Sequence, residues 1–262
     1  MRAIKVICFT ALVAPMLSWA QPMLWSYSTA GEKGPPEAEF HMGRLIYTLP
    51  STNGWRRGGG RPWWGIDYPE AEFHFLPGLR RLTRLDVAQD SRHMLATDEQ
   101  LYDYPFIFAQ QVGRWNLNKE EAEAMREYLK RGGFLVVDDF HGAYDWQVFE
   151  SVIRRVLPGY PIVDIQEGDD IMRILYDLDM NTQIPGRRHL YLAADGSTQA
   201  QLAGEATWRA IYDEHGRMMV AINYNMDMGD AWQHADDQVY PEPMTALAYR
   251  FGVNYVLYAM TH

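Results

Sequence analysis

The chain has 262 residues and is acidic, with 24 Lys and Arg against 34 Asp and Glu and a formal charge of −10. That balance repels a phosphate backbone and argues against nucleic acid as a partner. The only cysteine, Cys8, excludes a disulfide framework, a thiolate metal site and a cysteine nucleophile from everything after the first few residues.

The first stretch reads MRAIKVICFTALVAPMLSWAQP. Arg2 and Lys5 precede a mostly apolar run from Val6 to Leu17, and Ser18 and Ala20 put small residues where a cleavage site needs them. This pattern predicts a secretory signal peptide over 1–20 and an exported, periplasmic or secreted protein. Its apolar core falls short of the ~20 residues of a membrane span, as does the last apolar stretch, Phe251–Met260, so no stable membrane insertion is expected after cleavage. The mature chain would carry 22 Lys and Arg against 34 Asp and Glu, a formal −12.

Residues 21–39, with Gly31, Gly34, Pro35 and Pro36, read as an irregular lead-in to a single domain over 40–262. Arg44–Leu49 is a predicted first strand. PSTNGWRRGGGRPWWG follows as a loop whose length would suit a lid. Leu76–Leu85 suggests a short helix and Leu85–Val87 a second strand. Tyr104–Gln110 is a continuous apolar strand. Asn118 then suits a helix N-cap, with Glu121 three residues on as in a capping box. Ala122, Met125 and Leu129 share one helical face, and Gly132 suits the left-handed position that ends the helix.

Phe134–Val137 is the next strand. Asp145 is a candidate cap for a helix with Trp146, Phe149, Val152, Ile153 and Val156 on its apolar stripe, stopped by Pro158 and Gly159. Pro161–Ile165 reads as a strand again. Leu190–Ala193 and Met218–Tyr224 are further strands, with Arg209–Asp213 the first arm of a hairpin into the latter. Met244–Met260 is a closing helix. Continuous apolar strands alternating with helices predict an α/β fold with a mostly parallel sheet covered on both faces.

Ligands in such a sheet bind beyond the carboxyl ends of the strands. Asp138, Asp139 and His141 lie there after Phe134–Val137 and are the catalytic candidates, because a carboxylate beside a histidine can work as a general base with its orienting partner. Gln110, Gln111 and Asp227 lie at corresponding strand ends. Trp63, Trp64, Asp67 and Tyr68 could line a pocket and stack on a sugar. Two carboxylates and an imidazole could also hold a cation. No HExxH or paired-histidine spacing supports a metal, however, and no metal or other cofactor is assigned. No GxGxxG opens a strand–helix unit, and no GxSxG occurs. Asp and His are also ordinary residues at strand-to-helix turns, so the cluster is equally explained as local capping.

RLIYTL, WWGIDYPEAEFHFLPGLRRLT, LYDYPFIFAQ and LNKEEAEAMREYLKRGGFLVVDDFHG together resemble the DUF4159 family of bacterial proteins, from about Phe40 to the C-terminus. The most specific pieces are Asp67–Pro69, Tyr104–Phe106 and Gly132–Asp139. That family is similar to the class I glutamine amidotransferase-like and ThuA-like proteins. The resemblance implies a flavodoxin-like three-layer sandwich rather than an activity. Class I glutamine amidotransferases use a cysteine on a sharp turn after a strand, and the mature chain has none. Two functions are therefore expected: a binding module for a small molecule, carbohydrate or envelope protein, or a hydrolase or sugar-processing enzyme using Asp138 or Asp139 with His141, with or without a metal assisting.

Overall fold

In the computed structural model, residues 37–48, 62–180, 182–201 and 204–262 are described. The expected signal peptide, most of the lead-in and the Arg/Gly-rich loop lie outside the described residues. Nine strands and five α-helices follow in chain order among those described: β1 Met42–Ile46, α1 Glu70–Leu82, β2 Arg92–Leu95, β3 Phe106–Gln110, α2 Lys119–Lys130, β4 Phe134–Phe140, α3 Gly142–Val156, β5 Val163–Asp164, β6 Leu190–Leu192, β7 Thr198–Ala200, β8 Thr207–Tyr212, β9 Met218–Tyr224, α4 Met228–Gln233 and α5 Glu242–Thr261.

Seven strands form one sheet in the order β2-β1-β3-β4-β9-β8-β5, and β6 and β7 make a separate hairpin. The first five strands of that order are parallel to one another. The fully buried runs FIFAQ in β3 and FLVVDDF in β4 explain why they sit centrally: helices cover both of their faces. α1, α4 and α5 pack together over one face, which carries Phe75 stacked on Trp232 at 4.1 Å and Trp208 on Phe251 at 3.8 Å. α2 and α3 cover the other, where Trp115 stacks on Phe149 at 5.7 Å.

α2 forms as its sequence predicts. Asn118 accepts from the Glu121 N–H at 3.0 Å, and Glu121 accepts from the Asn118 N–H at 2.7 Å. The chain leaves the helix through Gly132 at φ +110°, a conformation cheap only for glycine. Elsewhere the sequence reading needs correction. Leu85–Val87 supplies only a single bridge, from Val87 to Phe40, and the second strand is β2, whose mixed RHML sequence gives no strand signal. Pro161–Ile165 does not extend the parallel set. It shrinks to the two exposed residues of β5, antiparallel to β8 at the sheet edge. α1 begins at Glu70, six residues before its expected start, and α4 has no counterpart among the expected elements.

β4 carries the feature that matters most for the site. Its register slips between Val137 and Phe140. Up to Val137, side chains alternate: Phe134 and Val136 face α5, whereas Leu135 and Val137 face α2 and α3. Strict alternation would send Phe140 towards α5, yet it packs with Leu135 and Val137. One extra residue is therefore inserted, and Asp139 takes the strain at φ +52°.

Candidate functional site

The bulge separates the two aspartates that the sequence presents as a pair. Asp138 keeps the parity of Phe134 and Val136 and turns towards α4. Its Oδ2 accepts from the N–H groups of Met228 at 2.7 Å and Gly229 at 3.0 Å, and its Oδ1 from Asn223 at 3.3 Å. A fully buried carboxylate thus satisfies the open N-terminal donors of α4. Burial raises its pKa to about 7 against the pull of the Gly229 N–H, with help from the neighbouring Asp139. Asp138 fixes α4 to the sheet, and its oxygens are already occupied.

Asp139 turns the other way. Its carboxylate takes a hydrogen bond from the Gln111 amide, lies 3.1 Å from His141 Nε2, and accepts from Arg188 at 3.3 Å. Its backbone N–H donates to the Met226 carbonyl, tying the bulge to the loop after β9. His141 is the N-cap residue of α3, and its own N–H is held by the Asp145 carboxylate at 3.1 Å. Asp145 therefore stabilises this helix start from within the first turn, and the helix begins earlier than its position suggested. Asp227 is the N-cap of α4, accepting from the Asp230 N–H at 2.9 Å.

Asp67 reaches the same place from the loop after β1. Gln110 donates to it, and the Gln110 carbonyl oxygen in turn accepts from Arg44 at 2.6 Å. Arg44, fully buried in β1, also bonds Glu72 at 2.6 Å and the backbone oxygens of Trp64 and Ile66. A relay from Glu72 through Arg44 and Gln110 thus orients Asp67. Gln110 supports the cluster rather than facing a ligand freely.

Asp67, Asp138, Asp139, Asp227 and the half-buried Asp230 stand together. Arg188 is the one Lys or Arg side chain bonded to any of these five carboxylates among the described residues. Burial, then Asp230 and Asp139, push the Asp67 carboxyl well above the usual carboxylate range. Burial, then Asp139, Asp230, Asp67 and Asp138, do the same for Asp227. His189 lies edge-on to His141 at 4.9 Å, and burial and the His141 and Arg188 charges lower its pKa. Two sets of ligand-type atoms lie within 4.8 Å of one another: Asp139, His141 and Asp227, and Asp67, Asp227 and Asp230.

Backbone strain gathers here as well. The four non-glycine residues with left-handed φ among the described residues are Asp67, Gln111, Asp139 and Asn225. Gln111 and Asn225 directly follow β3 and β9, Asp139 sits in the bulge near the carboxyl end of β4, and Asp67 lies in the segment between β1 and α1. Each such residue costs of order 1 kcal/mol or more and persists only where its surroundings hold it.

The tryptophans go elsewhere. Trp64 is buried against His93 at 4.9 Å, and Tyr68 packs on the same imidazole at 4.2 Å. Trp63 is half-buried beneath the Arg114 guanidinium at 4.4 Å. Of the residues expected at the site, Asp67, Asp139, His141 and Asp227 converge. Asp138 and Gln110 support them, and Trp63, Trp64 and Tyr68 anchor the loop between β1 and α1.

The chain matches the model of the Domain of unknown function (DUF4159) over residues 51–260. It belongs to the DUF4159 family. No curated protein matches it. In this DUF4159 domain, Gln111 lies at the strand end where the sequence placed it, and sequence reasoning missed Arg188, His189 and Asp230. The last had a usable signal, since Asp227-Met-Gly-Asp230 places an N-cap and its third helical residue at capping distance. Arg188 and His189 had none, because they come from the weakly patterned segment before β6.

Proposed function

We propose that this DUF4159 domain is an exported, divalent-cation-dependent hydrolase, with Asp139, His141 and Asp227 holding the cation. The observation that carries this reading is the convergence of those three ligand atoms within 4.8 Å from two separate segments, the end of β4 and the start of α4. Carboxylates mixed with one imidazole suit borderline and hard divalent ions such as Mn²⁺ or Zn²⁺. Such an ion polarises a substrate oxygen and makes hydroxide available near neutral pH. The protein's own groups fix the geometry. Gln111 and Arg188 orient Asp139, the Asp230 N–H orients Asp227, and burial excludes bulk water from the carboxylates.

The parallel strands β2-β1-β3-β4-β9 follow the order 2-1-3-4-5, which supports a flavodoxin-like and hence amidotransferase-like sheet. Amidotransferase chemistry itself is disfavoured. The left-handed turn after β3 carries Gln111, whose amide is no nucleophile. That same residue favours the second reading, a binding domain for a carbohydrate, peptide or envelope partner that performs no chemistry. Export is supported by the pattern of residues 1–20, and mature protein beginning at Gln21 would establish it.

Thermal unfolding with and without Mn²⁺, Zn²⁺, Mg²⁺ and EDTA tests the cation, and a panel of esters, amides, glycosides and phosphate esters tests the reaction. Cation-dependent stabilisation and turnover, both lost in Asp227→Asn, are expected. No response to any ion sinks the proposal, and a cation response without turnover leaves only the binding reading.

A further inference from the structure

Resting on that reading, we infer that the centre takes a second divalent cation on Asp67, Asp227 and Asp230, and that the pair, with Arg188, grips a phosphate-like oxyanion. Asp227 belongs to both sets of converging atoms, so one carboxylate would bridge the two ions. Ions sharing such a bridge stand about 3.5–4 Å apart, the spacing of two-cation centres that bind phosphoryl oxygens.

The second set has its own signs of a missing positive charge. Ligand-type oxygens of Asp67 and Asp230 lie within 4.8 Å of each other. Carboxylates that close repel, and a cation between them relieves the repulsion. No Lys or Arg side chain bonds either one among the described residues. Their bonds come instead from neutral donors: the Gln110 amide to Asp67, the Arg187 backbone N–H to Asp230 at 2.7 Å, and the Gln233 amide to Asp67 at 3.0 Å and Asp230 at 3.2 Å.

A separate observation points to a ligand in the first set. The His141 side chain is only 8% exposed, its Nε2 faces Asp139, and its buried Nδ1 has no hydrogen-bond partner among the described residues. A buried imidazole whose Nε2 meets a carboxylate of the cluster is placed to share a cation with it.

The backbone also makes room at the second set. A Cβ on Gly186 would stand 2.6 Å from Asp227 Oδ2 and 3.1 Å from Asp230 Oδ2. One on Gly229 would stand 2.7 Å from Asp67 Oδ2. Two glycines thus let separate segments close on these three carboxylates.

Arg188 supplies the preference for an anion. Its side chain is 41% exposed, at the edge of an otherwise buried cluster. Its guanidinium uses donors on Asp139 and His189 and has others to spare. Placed beside two cations, a planar guanidinium recognises a tetrahedral oxyanion.

The test uses Mn²⁺ as the metal and inorganic phosphate as the anion, with the full mature chain. Calorimetry is expected to give two Mn²⁺ per chain, and electron paramagnetic resonance an exchange-coupled pair. Asp230→Asn should leave one uncoupled Mn²⁺. Should that variant not fold, Asp67→Asn makes the same prediction. Phosphate should bind only with Mn²⁺ present, and Arg188→Ala should weaken it about tenfold while the Mn²⁺ count stays at two. One Mn²⁺ in the unaltered protein overturns the second site and leaves the proposed function standing. No Mn²⁺ at all defeats the underlying reading instead. Phosphate affinity unchanged in Arg188→Ala overturns the anion assignment.

Discussion

Asp138 offers a quantitative check on the acidic cluster, independent of any ligand. Its carboxyl is raised from an ordinary 3.8 to about 7, chiefly by burial. A raised folded-state value means that the native protein holds the proton more tightly than the unfolded chain. The resulting stability is fully present below about pH 4 and is lost as pH rises through about 7. Between pH 5 and pH 7 the unfolded carboxyl is ionised while the folded one is not. Two pH units at ~1.36 kcal/mol each then remove about 2.7 kcal/mol from the cation-free protein.

Histidines act oppositely in that window. Burial holds His93 down at about 4 and lowers His189, so each adds stability as pH rises towards the ordinary imidazole value. Comparing the protein with Asp138→Asn cancels those contributions, which both share. Mispairing of the new amide with Asn223 adds an offset independent of pH. Urea unfolding in EDTA at pH 5, 6, 7 and 8 should show stability moving by about 2.7 kcal/mol in favour of the variant across the range. Parallel curves, or a shift in favour of the unaltered protein, would refute the assignment of Asp138 as a buried proton-holding carboxyl.

Two further outcomes follow from contacts around the site. Arg44→Met leaves Glu72 buried without its cation and cuts the support of Gln110, so it should cost about 3–5 kcal/mol in denaturant unfolding; a loss below 1 kcal/mol contradicts the relay. Gly229→Ala drives a Cβ to within 1.8 Å of Gln110 Nε2. It should lower stability by about 1–3 kcal/mol and weaken Mn²⁺ binding by displacing Asp67, and unchanged Mn²⁺ affinity would show that Gln110 does not position it.

The asparagine-capped helix, the buried strands and the covered parallel sheet follow from the sequence alone. Their causes are local: capping chemistry at Asn118–Glu121, helical spacing in Ala122, Met125 and Leu129, and unbroken apolar runs in β3 and β4. The rim position of Asp139, His141 and Asp227 follows too, because a parallel sheet puts every such loop on one edge. Three things are decided only by tertiary structure. The first is the splitting of Asp138 from Asp139, since a bulge is set by how β4 pairs with β9 and not by the residues DD. The second is the recruitment of Asp230 and Arg188, which lie 91 and 49 residues from Asp139 in the chain, because no spacing rule connects separate crossovers. The third is the fate of the tryptophans. Their large apolar rings yield more by packing on His93 and under Arg114 than by standing open at the rim, and only the packed fold shows which of those surfaces is there to receive them.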